Sequence, residues 1–163
     1  MIARILVFVA VFGVLQTAWQ WSDGTAAHRG LIERGVVAPA AAIARLLTPR
    51  ESVVREGNVL RGAGTQLRIV NGCDGTETLF LLCAGFAVAP IPWRRRALGW
   101  LIGLPFVYAL NQARILGLYY SLRAGLFDTL HGVVTPVLMV VAILYFFYAW
   151  LGPQSRPETP DAS

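Results

Sequence analysis

Apolar positions in this chain fall into long unbroken runs, separated by one central stretch in which apolar and polar residues alternate. Four runs stand out, near Ile2–Trp21, Thr76–Ile91, Ala97–Tyr120 and Leu126–Leu151. An apolar run of about 18 or more residues reads as a membrane helix, because roughly 20 residues rising ~1.5 Å each cross the hydrocarbon core. The second run is the shortest, stopped by Pro90 and Pro92, and reaches across only if its first turn begins at the interface. The pattern predicts an all-α polytopic membrane protein of about four transmembrane helices, forming one membrane domain over 1–151.

The central stretch, 22–75, carries two further patterns. Leu31, Val36, Ala40, Ile43 and Leu47 recur at helical spacing with Arg34 and Arg45 off the stripe, which predicts an amphipathic helix lying on the membrane or the bundle. Pro39 sits inside it and predicts a kink or a break. Ser52-Val53-Val54 and Val59-Leu60, then Gln66–Val70 after Arg61-Gly62-Ala63-Gly64, predict a short β-hairpin with a glycine turn. That strand runs directly into Asn71-Gly72-Cys73-Asp74-Gly75, so Cys73 is delivered at a strand-to-helix junction.

Composition narrows the class. The chain has 163 residues, 56% of them apolar and 14% charged, with a mean hydropathy of +0.57. That is too apolar for a soluble domain of this length. Every cationic side chain is Arg, scattered over loops and helix ends with no basic stripe interleaved with aromatics, so nucleic-acid binding is a poor reading. Arg94–Arg96, held in a short loop, and Arg4 mark the cytoplasmic side. Arg29, Arg34, Arg45, Arg50, Arg55, Arg61 and Arg68 argue the other way, but long segments translocate largely regardless of charge. Both termini are therefore expected in the cytoplasm, with 22–75 and the loop around Ser121–Gly125 outside. The tail 152–163, rich in Pro, Ser and acid, is expected to be disordered. Residues 1–21 also resemble a signal peptide, although no convincing small-x-small cleavage site precedes Trp19, and a retained anchor is the preferred reading.

Ionisable residues inside membrane helices are costly and default to functional hypotheses. Arg114 lies about 25 Å up the third helix counted from Ala97. His131 lies about one turn into the fourth from its outer end, and Cys73 stands just before the second, also at its outer end. Three residues distant in sequence thus fall at one depth on one side of the membrane. Singly, Arg114 also suits a snorkelling cation, His131 a core histidine and Cys73 a packed thiol. Together they suit thiol catalysis: a thiolate attacks, an imidazole moves the proton, and a guanidinium stabilises the oxyanion. Asn111 and Asp128 each stand three residues before a member of this set and share its helix face. Asn111 suits orienting Arg114 or binding substrate backbone; Asp128 suits holding the imidazole tautomer, or a plain helix cap. Asp74 with Glu77 matches a capping pattern that puts Cys73 just before the helix N-cap. Cys83, about 15 Å along a helix from Cys73, reads as packing rather than as a disulfide partner. Gly99-x-x-x-Gly103 reads as a helix-packing face. His28 stands alone in a loop, no metal-ligand spacing appears, and no cofactor is expected.

Cys73 in Asn71-Gly72-Cys73-Asp74-Gly75 before one helix, Arg114 in Asn111-Gln112-Ala113-Arg114 late in the next, and His131 early in the one after resemble the exosortase/archaeosortase pattern over roughly Ser52–Trp150. The wording and short length look most like the exosortase H branch. The resemblance implies an integral membrane cysteine protease or transpeptidase that processes exported proteins bearing a C-terminal motif, membrane helix and basic cluster. It implies the three roles above for Cys73, Arg114 and His131. The chain departs from the family in having Cys73-Asp74-Gly75 where Cys-Ser-Gly is common, and in having fewer helices than many members. Two other classes stay open from the residues: a non-catalytic subunit of an export complex, with Arg114 and His131 as helix glue, and an oxidoreductase cycling Cys73 with Cys83.

Overall fold

The computed structural model of the chain describes residues 1–62, 64–70 and 72–152. Ala63 of the glycine turn, Asn71 of the cysteine loop and all of the expected tail except Gly152 lie outside them. In chain order the elements are α1 (Ile2–Trp21), α2 (Ala26–Gly30), a π-helical turn (Leu31–Val37), α3 (Ala38–Leu47), a 3-10 turn (Pro49–Glu51), β1 (Val54–Glu56), β2 (Val59–Gly62), β3 (Thr65–Arg68), α4 (Thr76–Val88), α5 (Trp93–Ala124), α6 (Phe127–Thr129), a second π-helical turn (Leu130–Val134) and α7 (Thr135–Leu151).

Among the described residues three helices are long and apolar enough to cross a membrane: Ile2–Trp21, Trp93–Ser121 and Phe127–Leu151. α4, where a fourth span was expected to Ile91, has 13 residues, about 20 Å of rise. It ends at Val88 because Ala89 precedes Pro90 and is held extended at ψ 132°. α4 runs antiparallel beside α1 nonetheless. The Trp19 indole donates to Asp74 at one end (3.0 Å), and Ala3, Arg4 and Val7 share a cavity with Ala87–Ile91 at the other. α1 buries no residue, and Ile2, Leu6, Val9, Val14, Val137, Val141 and Leu144 are exposed. A continuous apolar surface of this kind suits lipid rather than water.

Helix contact explains the glycines on α5. A Cβ on Gly99 would strike the Phe86 ring, and one on Gly103 would lie 2.8 Å from Leu82, so both glycines admit side chains of α4. Leu82, Phe86, Val107 and Ile143 form the core at that level. Arg95 and Arg96 lie in the first turn of α5 rather than in the expected loop, and they bolt neighbouring ends together. Arg96 donates to the Ala89 carbonyl after α4 (2.9 Å) and Arg95 to the Trp150 carbonyl of α7 (3.2 Å), both carbonyls at helix C-termini.

A second core lies at the opposite end, where α2, α3 and the sheet cap α5. Val37, Ala40, Ala44, Val53, Leu60 and Ile69 pack there against Ile115, Leu118 and Tyr119. The sheet has three strands in the order β1-β2-β3, both pairs antiparallel, rather than the single hairpin expected. The predicted stripe is also out of phase. Leu31 and Leu47 are exposed, while Ile32, Val36, Val37, Ala40, Ala41 and Ala44 are buried. The extra residue of the π turn accounts for Leu31, whose phase against α3 it changes: Ala38 N–H bonds the Glu33 carbonyl five residues back. Pro39 lacks the N–H that would bond Gly35 four residues back, and the Tyr108 hydroxyl of α5 donates to the Gly35 carbonyl instead (2.7 Å).

Candidate active site

Cys73 stands in the turn that joins the sheet to α4. Gly75, not Asp74, is the N-cap of α4, and its φ of +83° is a left-handed conformation that suits glycine. Asp74 lies one position earlier and is buried. Its carboxylate accepts from the Thr76 hydroxyl (2.9 Å), the Thr76 N–H (3.3 Å) and, through its other oxygen, the Trp19 indole (3.0 Å). The side chain that the capping pattern assigned to the helix end is thus fastened partly to α1. Asn111, buried on α5, donates to the Asp74 carbonyl at 2.8 Å. It therefore clamps the cysteine turn to α5.

The cysteine, arginine and histidine meet across three elements. Cys73 Sγ lies 3.8 Å from His131 Nδ1 and 4.0 Å from Nε2, so the two ring nitrogens are nearly equidistant from the sulfur. Phe127, one turn earlier, stacks on the imidazole with centroids 5.2 Å apart. Arg114 donates through Nη1 to the Gly72 carbonyl (3.3 Å) and through Nε to Thr135 Oγ1 (3.2 Å). Its cation thereby lies beside the residue preceding the cysteine. Asp128 is exposed, and no hydrogen bond among the described residues joins it to His131. His28 is on α2 rather than in a loop, buried, with its ring tilted against Trp19 at 4.4 Å between centroids. Both cysteines are free thiols.

A cleft of about 430 Å³ opens on the group, with Cys73, Glu77, Arg114 and His131 at its head and Leu81, Met139 and Val140 further along α4 and α7. Burial pushes the half-buried Cys73 thiol above its ordinary range; Arg114 pulls it down, while Asp74 and Glu77 reinforce the rise. The arrangement can therefore hold a thiol that becomes a thiolate when a base takes its proton, beside a fixed cation able to face a developing oxyanion.

Thr135, Phe127 and Trp19 were not singled out from the sequence. Thr135 and Phe127 stand four residues either side of His131, a spacing that puts them on its helix face and was available to the reading. Trp19 offered no such signal, because α1 shows no amphipathic stripe that singles out one face.

A family model described as transmembrane exosortase matches residues 3–148 of the chain. No curated protein and no solved structure matches it.

Proposed function

The chain belongs to the transmembrane exosortase family, and on that premise we propose that it is a membrane-embedded cysteine endopeptidase or transpeptidase. Its substrates would be exported, membrane-anchored proteins carrying a C-terminal motif, a membrane helix and a basic cluster. The observation that carries this reading is the approach of Cys73 Sγ to the His131 ring at 3.8 Å with Arg114 bonded to the residue before the cysteine.

In the proposed reaction His131 takes the Cys73 proton, and the thiolate attacks the scissile carbonyl carbon. Negative charge then moves to the carbonyl oxygen, where Arg114 faces it. Collapse of the tetrahedral adduct breaks the C–N bond, and the imidazolium gives its proton to the departing amine. The resulting thioester is opened by water, giving a carboxylate, or by an amine, giving a new amide; His131 accepts the nucleophile's proton. Asn111 holds the turn that carries the nucleophile.

The proposed setting is the bacterial inner membrane, with α4 crossing beside α1 as a fourth, short span. The cap of α2, α3 and the sheet, and the site beneath it, would then face the periplasm. Arg4 and Arg94–Arg96, at the opposite end of the bundle, support that orientation.

The test is processing of a co-expressed tail-anchored substrate. Cys73→Ala is expected to abolish cleavage at an unchanged membrane level of the protein, and Cys83→Ala to leave it intact. Undiminished cleavage by Cys73→Ala would refute the assignment and favour a non-catalytic role for the Arg114 and His131 contacts.

A further inference from the structure

We propose that Thr135 is a positioning residue that holds Arg114 against the cysteine turn, so that one helix supplies both the imidazole and the anchor of the cation. This rests on the role given to Arg114 above. An arginine side chain has several rotatable bonds, and at this depth it is drawn toward water and headgroups. Two bonds oppose that pull here. Nη1 donates to the Gly72 carbonyl at 3.3 Å and Nε to Thr135 Oγ1 at 3.2 Å. The two acceptors come from different elements, the cysteine turn and α7, so the guanidinium is held between them. Nη2 has no protein partner among the described residues and is the donor left for a ligand in the cleft.

The location of Thr135 is itself set by the chain. It is the first residue of α7, where the second π turn ends, and its N–H bonds Leu130 five residues back. Pro136 follows and offers no N–H to the preceding turn. His131 thus lies inside one local departure from α geometry and Thr135 directly after it, so the anchor of the cation and the imidazole are one turn apart on the same helix. The charged and titratable groups facing Cys73 are Arg114 from α5, Asp74 in its own turn, Glu77 from α4 and His131 from the last helix. Among them Arg114 is the group whose placement Thr135 controls.

The experiment uses the full chain in detergent micelles with Cys83→Ala, leaving Cys73 as its one thiol, and follows iodoacetamide alkylation by mass spectrometry against pH. Thr135→Val keeps the shape and removes the acceptor; it is expected to move the alkylation midpoint up by about one pH unit, as withdrawal of a nearby cation does. Thr135→Ser should restore the parental profile. Thr135→Ala, which adds no bulk, should match Thr135→Val and serves if the valine variant misfolds. With Arg114→Gln already present, Thr135→Val should add no further shift. A parental midpoint for Thr135→Val and Thr135→Ala, beside a raised one for Arg114→Gln, would overturn the inference and leave the proposed function standing. A shift that persists in the Arg114→Gln background would also overturn it. Parental midpoints for all three would remove the electrostatic role of Arg114 and the inference with it.

Discussion

An alanine at Gly75 and an alanine at Gly117 differ from the parent by the same methyl group, but the group meets opposite surroundings. At Gly75 the backbone is at φ +83°, and the new Cβ would lie 2.5 Å from Asn111 Cγ, displacing the side chain that clamps the cysteine turn. Gly75→Ala is expected to cost about 2–4 kcal/mol, from left-handed strain and overpacking, and to lower processing. At Gly117 nothing lies within 4 Å and the residue is inside α5, so Gly117→Ala should stabilise the protein by about 0.5–1 kcal/mol. Thermal unfolding in detergent distinguishes the two, and equal effects would contradict the clamp. At this scale the sequence was informative where distance along a helix decides contact. The common depth of Cys73, Arg114 and His131 follows from rise per residue alone. It was silent where contact depends on which of several equivalent polar groups is reached. Asn111 could bond its own helix neighbour or the distant Asp74 carbonyl, and the positive φ of Gly75, which brings that carbonyl within reach, leaves no mark in spacing.

Two π turns, Leu31–Val37 and Leu130–Val134, each end at a helix whose second residue is proline, Pro39 or Pro136. Each proline withholds an N–H and crowds the carbonyl four residues back, and a widened turn relieves both problems. Pro136→Ala restores the donor and lets the segment return to α geometry. Losing one residue from the turn rotates what precedes it by about 100° relative to α7, carrying His131 away from Cys73. Pro136→Ala is therefore expected to reduce processing at least tenfold with helix content by circular dichroism retained. Pro39→Ala, which acts on the cap, should have a much smaller effect; equal losses would contradict this account. Helix type and approximate limits were legible because long apolar runs leave little choice, whereas the phase of α3 was not. A stripe read at constant 3.6-residue spacing misassigns Leu31 once one extra residue is inserted, although Pro39 marked the place. Ser52-Val53-Val54 was legible as strand-like but not as a third strand, because β1 is only Val54–Glu56 and wholly exposed, with no alternation that sets it apart from the hairpin.

Across the whole molecule α5 ties the two cores together. Its first turn carries Arg94–Arg96, its middle Asn111 and Arg114, and its last turns hold the sheet through Tyr119 to the Gly62 carbonyl (3.2 Å) and Arg123 to Thr65 (3.2 Å). A helix of 32 residues is about 48 Å long, well beyond the ~30 Å of a hydrocarbon core. Trp93 and the arginines beside it suit anchoring at one interface, and Arg114, 21 residues on from Trp93, then stands about 32 Å from that anchor. The height of the reactive group above the far leaflet is thus set by a protein length that cannot adjust, against a lipid thickness that can. In vesicles made from a graded series of acyl-chain lengths, cleavage should pass through a maximum. Shorter lipids would lift the cysteine clear of the surface, and longer ones would draw Arg114 into the hydrocarbon, each separating the catalytic group from a peptide bond held at the interface. A rate indifferent to chain length would mean that tilt of α5 absorbs the mismatch.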